Sequence, residues 1–312
     1  MEDIEQNYEK IIKECGFGTK DSDTIIRNIA NLEEFYDSTE LVNIYNYCLL
    51  NIKDADILFQ VIKYTDAHRS TSTLSILSDM LLKKIAYDDN DSYINVRALC
   101  AKAIANYKDI DCMGILLYCL NDKNEHYKVR LACADALGRL GNKYAVKPLI
   151  DVVKDEEEKS IYLKESATFA LGMLGDTSAI DPLISILESK QGFIDKFTFL
   201  KEKIVEALGK LNSNNKNILK ALNNSLMDPS PIVRINAIEG IMNSNDENAE
   251  EMIRPCLRDE DLEVQKNALI ALYNLIGNDI LDEVISLPIY SENLKSEAAN
   301  MLREYEDGDE IE

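Results

Sequence analysis

Tryptophan is absent from this 312-residue chain, histidine occurs twice, proline six times and glycine twelve times. So few turn-forming residues exclude an all-β fold built on many tight turns. The two histidines, His68 and His126, stand in no metal-ligand spacing and are too few to supply a Ser-His-Asp set. No glycine-rich phosphate loop occurs. Gly138, Gly141, Gly172 and Gly175 follow a GxxG spacing within and just after a helix, with no strand before them, so packing and helix termination account for them. The sequence therefore nominates no catalytic residue, no metal ligand and no cofactor.

Cysteine is present seven times, an odd number, without a CxxC pair. The cysteines read as reduced core residues of a reducing compartment. Basic residues number 34 against 56 acidic ones, for a formal net charge of −22. Such a surface repels nucleic-acid backbones and anionic membranes, and steers basic partners inward. The opening MEDIEQNYEK has neither a basic start nor an apolar run, so no signal peptide is expected. No apolar run reaches the roughly 18–20 residues a membrane-spanning helix needs. The expected location is the cytoplasm.

What is present is a repeat. Segments beginning Val96-Arg97, Val129-Arg130, Leu163-Lys164, Leu200-Lys201, Val233-Arg234, Val264-Gln265 and Leu294-Lys295 follow one another at 33, 34, 37, 33, 31 and 30 residues. Counting the first residue as zero, position 4 holds Cys100, Cys133, Ala167, Ile204, Ala237, Ala268 and Ala298. Position 7 is mostly Ala, and position 8 is Leu or Ile throughout. Offsets of 0, 4, 7, 8 and 11 mark one face of an α-helix. Small residues at 4 and 7 let a neighbouring helix approach, and the Leu or Ile at 8 fills the space beside them. A second apolar-periodic segment of roughly 8–15 residues precedes each of these. The unit is therefore helix, short turn, helix, with Gly141-Asn142 and Gly175-Asp176 closing one helix before the next.

Five residues after the turn positions Asp91, Asn124, Glu158, Asp195, Asp228 and Asp259 each helix register begins, and its next residue is basic: Arg97, Arg130, Lys164, Lys201 and Arg234, then Gln265. An acidic or Asx residue there is expected to cap the second helix and accept bonds from a nearby side chain. Stacking would set these groups in a row that joins repeats.

The turn Asp, the Val-Arg pair, the Ala-Leu-Gly runs at 136–138 and 170–172, and Pro148 and Pro182 in the first helices resemble the HEAT repeat. The runs ending in Gly141 and Gly175 are similar to its phycobilisome-lyase subgroup. The resemblance covers about residues 90–303. It implies an all-α fold, a right-handed α-α superhelix (solenoid) of HEAT-type helix pairs, and hosts that are mostly scaffolds and adaptors. Deoxyhypusine hydroxylases share the fold and carry iron on His-Glu pairs, a dipeptide this chain lacks. HEAT-like DNA glycosylases present a basic groove, whereas Glu165, Glu202, Glu206 and Glu239 lie on the second helices here. Bilin lyases remain as the enzymatic alternative, without a motif that transfers residue by residue.

Residues 1–90 read as diverged N-terminal repeats, with helical runs near 4–14, 22–36, 39–52 and 54–65. Residues 91–303 are the HEAT-type repeats continuous with them. Residues 304–312, with six acids and no base, read as a disordered acidic tail. In the repeats, positions 2, 3, 6 and 10 of the second helices point away from the core. Leu131, Phe169, Met173, Ile235 and Ile270 there form a broken apolar stripe, flanked by Glu165, Glu202, Glu206 and Glu239. Such a face suits a protein partner with a basic or amphipathic segment. The expected function is a non-catalytic protein-binding scaffold on the concave face. An accessory protein-modifying enzyme or chaperone-like lyase is the alternative.

Overall fold

The computed structural model describes residues 2–83, 91–188, 197–211 and 215–309. Eighteen α-helices and no strand occur among them. They fall into successive pairs. In residues 1–152 the pairs are α1 (Glu2–Glu14) with α2 (Ser22–Ala30), α3 (Ser38–Asn51) with α4 (Ala55–Tyr64), α5 (Thr71–Leu81) with α6 (Asp91–Asn106), and α7 (Met113–Asn121) with α8 (Tyr127–Leu140). Then follow α9 (Val146–Lys154) with α10 (Ile161–Leu174), α11 (Ile180–Leu187) with α12 (Thr198–Lys210), and α13 (Lys216–Ser225) with α14 (Pro231–Met242). The last are α15 (Ala249–Ile253) with α16 (Leu262–Ile276), and α17 (Asp279–Ser286) with α18 (Glu292–Asp309). Two compact units result, Met1–Val152 and Val153–Glu312. Within each, second helices stack on second helices, as α4 does on α6 and α12 on α14.

The repeat register fixes the core. Val129, Cys133, Ala136 and Leu137 of α8, and Leu163, Ala167, Ala170 and Leu171 of α10, are fully buried, as the 0, 4, 7, 8 pattern requires. All seven cysteines are unpaired and buried, as the core reading expected. Burial pushes the Cys100 thiol up to about 12 and that of Cys256 up to about 11. The expected turns hold too. Gly141 and Gly175 take the left-handed conformation at the ends of α8 and α10, where a side chain would be strained. Asn142 and Asp176 then accept the backbone N–H of Tyr144 and Ser178.

The expected row of basic residues exists and joins successive repeats. Five of the six side chains reach back to carbonyls ending their own unit's first helix or turn: Arg97 to Leu81, Arg130 to Leu120, Lys164 to Val153 and Asp155, Arg234 to Asp228 and Pro229, Gln265 to Asp259. Three of the six also meet a carboxylate of the next unit. Arg97 pairs with Glu125, Lys201 Nζ with Asp228 Oδ2 at 2.8 Å, and Arg234 Nη2 with Asp259 Oδ1 at 2.6 Å. Asn124 yields this role to its neighbour Glu125, and Asp195 lies outside the described residues. The acids do not cap the second helices. Asp228, Asp259 and Glu158 sit too far upstream, and each accepts the N–H two residues on. Capping falls to His126, Ser160 and Asp261.

Residues 2–83 form two complete helix pairs and the first helix of a third, close to the expected boundaries. The backbone of α18 runs through Asp309. Residues 304–309 are thus helical where a structureless tail was expected, because the periodic segment from Leu294 carries the helix onward. Residues 310–312 lie outside the described residues.

Candidate functional site

Eight of the nine residues nominated for partner binding lie in the second unit. Leu131 lies in the first, half-buried on α8. The helices α10, α12, α14 and α16 determine what the eight can do, because each has one open flank and one flank against its successor.

Position 2 turns out to belong to the packed flank. Glu202 is only 8% exposed. Its carboxylate accepts from Ser230 Oγ at 3.1 Å, and its carbonyl from Asn236 Nδ2 at 3.0 Å. Both donors are on the α14 side, so Glu202 joins two repeats and is no part of an open rim. Glu165 is half-buried in the corresponding place. Burial pushes its carboxyl upward, against the pull of Lys203. Ile235 is half-buried as well.

Position 10 is exposed, and position 6 is half-buried at Phe169 and Glu206 and exposed at Glu239 and Ile270, but they make no carboxylate-ringed anchor. Lys210 Nζ lies 4.9 Å and Lys203 Nζ 5.9 Å from the centre of the Phe169 ring, within cation–π range. The same ammonium groups hold Glu206, at 2.5 and 2.7 Å. Burial works against charge on Glu206, yet the two lysine bonds outweigh it and hold its carboxyl below the ordinary range. Beside Phe169 one carboxylate is thus shared by two ammonium groups, so no ring of free carboxylates surrounds it. Met173, Glu239 and Ile270 are exposed.

The sequence reading missed position −1. On three successive second helices this residue is large, apolar and exposed: Tyr162 (62%), Phe199 (70%) and Ile232 (49%). It precedes positions 3, 6 and 10 by 4, 7 and 11 residues, so it shares their face. The open face of α10 is Tyr162, Ser166, Phe169 and Met173. That of α12 is Phe199, Lys203, Glu206 and Lys210, and that of α14 is Ile232, Asn236, Glu239 and Asn243. A small cavity of about 210 Å³ opens between α12 and α14, lined by Glu206, Glu239, Asn236 and the backbones of Gly209 and Gly240.

In the first unit, Leu99 and Lys102 of α6 line a larger cleft of about 420 Å³ with Ala55, Asp56 and Phe59 of α4. No cluster of three potential metal-ligating side chains occurs among the described residues. None of the described helices is long and apolar enough to cross a membrane.

A family model described as HEAT repeats matches residues 78–161 and 216–304. A second, described as PBS lyase HEAT-like repeat, matches residues 163–189. No curated protein matches the chain. Among solved structures, the chain is similar to the complex of CpcE and CpcF of phycocyanin lyase from Nostoc sp. PCC7120, at 21% identity and a TM-score of 0.46, over 72% of this chain and 92% of that one. It is similar to human deoxyhypusine hydroxylase in complex with glycerol, at 16% identity and a TM-score of 0.35, over 86% and 96%. It is similar to Kap121p, at 11% identity and a TM-score of 0.50, over 93% of this chain and 36% of that one. Identities this low speak to the fold alone.

Proposed function

The chain belongs to the HEAT-repeat family, and we propose that it is a non-catalytic adaptor that grips a partner protein on the open face of α10, α12 and α14. The row of Tyr162, Phe199 and Ile232 carries this reading. A single exposed hydrophobe needs no explanation, whereas three at one register of adjacent parallel helices form a continuous apolar strip. Met173 and Ile270 are exposed on the same side, further along their own helices. Binding energy concentrates in such large apolar anchors.

The partner segment is amphipathic, with basic residues on the flank that meets protein. Support for its charge comes from the net −22 and from Glu239 and Glu263, both exposed on this side. The charges would mainly raise the association rate and make it salt-sensitive. The buried, unpaired cysteines fit a reducing cytoplasm. The lyase alternative requires a deep cavity with convergent polar groups. What favours the adaptor over it is that the strip lies on an open face.

The test is a cross-linking pull-down from native cells with wild type and the Tyr162→Ala/Phe199→Ala/Ile232→Ala variant. Expected are partner cross-links on the α10–α14 face, lost in the variant at an unchanged melting temperature. Equal recovery of the same partners by both proteins would overturn the reading.

A further inference from the structure

The cleft between α4 and α6 differs from the strip in both shape and charge. Its floor is Phe59 and Leu99, with Ala55 and Ala98 leaving room between the helices. Its volume of about 420 Å³ is in the range of ligand-binding clefts, and holds two large side chains. Asp56 lies in the first turn of α4 and Lys63 in its last turn, about 10 Å further along the helix axis. Lys102 lies in the last part of α6, at the same end as Lys63, because successive second helices run parallel.

The lysines are the unusual part. Acids outnumber bases 56 to 34 in this chain, and several other cations on the second helices are held by carboxylates: Arg139 by Asp135, Lys203 and Lys210 by Glu206, Lys266 by Glu263. Lys63 and Lys102 are exposed and in no ion pair among the described residues. The Lys63 ammonium stands over the Phe59 ring, 4.6 Å from its centre. Two uncompensated cations thus stand at one end of an apolar floor, with a carboxylate at the other end. Most of the acidic excess of the chain falls in residues 153–312, which leaves the first unit the less acidic one.

We propose that this cleft docks a protein segment in which a large apolar side chain is followed by carboxylates. The apolar side chain lies on Phe59 and Leu99, and the carboxylates meet Lys63 and Lys102. Asp56 repels an acid placed before the anchor, so the charge order sets the direction in which the segment lies. The preferred charge is opposite to that proposed for the α10–α14 strip, so the two surfaces take different ligands and stand or fall separately.

A random heptapeptide library selected on the intact chain tests this, with Lys63→Glu/Lys102→Glu and Phe59→Ala variants alongside. Wild type should enrich peptides with an aromatic or aliphatic residue followed by Asp or Glu. The double charge variant should lose that class at least tenfold and Phe59→Ala at least fivefold, both with the melting temperature of wild type. The proposal is overturned if no acidic-apolar class is enriched, or if the charge variant enriches it equally. Sedimentation gives a further overturning outcome. Self-association of wild type that disappears in the charge variant would assign the cleft to a second copy of the chain.

Discussion

A Cβ built on Gly209 would stand 3.0 Å from the Cα of Gly240, so the backbones of α12 and α14 meet at these two glycines with no side chain between them. Gly240 is tighter still, since its Cβ would also come within 2.9 Å of Leu222 Cδ1. Alanine at either position must push the helices apart. We expect Gly240→Ala to cost about 1–3 kcal/mol and Gly209→Ala somewhat less. Gly114→Ala is the control: it lies inside α7 with nothing within 4 Å, and should stabilise by about 0.5–1 kcal/mol. Thermal melts that rank the three otherwise would refute this packing.

Arg234 and Asp259 are almost fully buried, with side chains 6% and 12% exposed. Removing Asp259 leaves the buried guanidinium with only the exposed Glu260 carboxylate, 3.9 Å away. Asp259→Ala should cost roughly 3 kcal/mol, read from denaturant midpoints. The neutral rung one repeat further on, where Gln265 accepts from Ser291 Oγ at 2.9 Å, suggests the rescue. Arg234→Gln combined with Asp259→Ser should recover at least half of that loss.

Stability should fall in acid through Glu125. Burial opposes its charge, but Arg97 and the His126 N–H outweigh burial and hold the carboxyl below the ordinary range. A carboxylate with a depressed folded value contributes stability above its unfolded value, about pH 4.3. That contribution disappears as pH falls through the folded value. Between pH 5 and 3, Glu125→Gln should show a shallower loss of stability than wild type in urea titrations. Parallel curves would show that the pair does not drive acid unfolding.

The Tyr45 hydroxyl is buried with no hydrogen-bond partner among the described residues, in a ring fully shielded from solvent. An unsatisfied buried hydroxyl is a cost, and phenylalanine keeps the ring without it. Tyr45→Phe should melt at or above the wild-type temperature. A drop of several degrees would mean that the hydroxyl is bonded.

Much of the fold was legible because one helix face was overdetermined. Val129, Cys133, Ala136 and Leu137 repeat their offsets in unit after unit, so the buried phase is fixed from the sequence alone. The open face was harder. Position 2 and position −1 both lie beside the buried stripe in a single helix, and periodicity cannot tell which flank the next helix covers. That is decided by the stacking direction, a tertiary fact, so Glu202 was read as open and Tyr162, Phe199 and Ile232 went unremarked. A signal did exist: three successive units carry a large apolar residue immediately before register zero. The row of basic residues does join repeats as its spacing suggested, but the turn acid caps no helix of its own: Asp228 accepts from Lys201 and Asp259 from Arg234, each of the preceding repeat.

Each ion pair, from Lys201 to Asp228 and from Arg234 to Asp259, leaves one second helix and ends on a carboxylate in the turn of the next unit. The contact is heterologous, the kind by which identical subunits polymerise head to tail. A unit excised or duplicated whole, cut at equivalent turns, would carry one outgoing donor and one incoming acceptor with it. The flanking units would find new neighbours of the right sign, and chain length could change by whole repeats without stranding a charge.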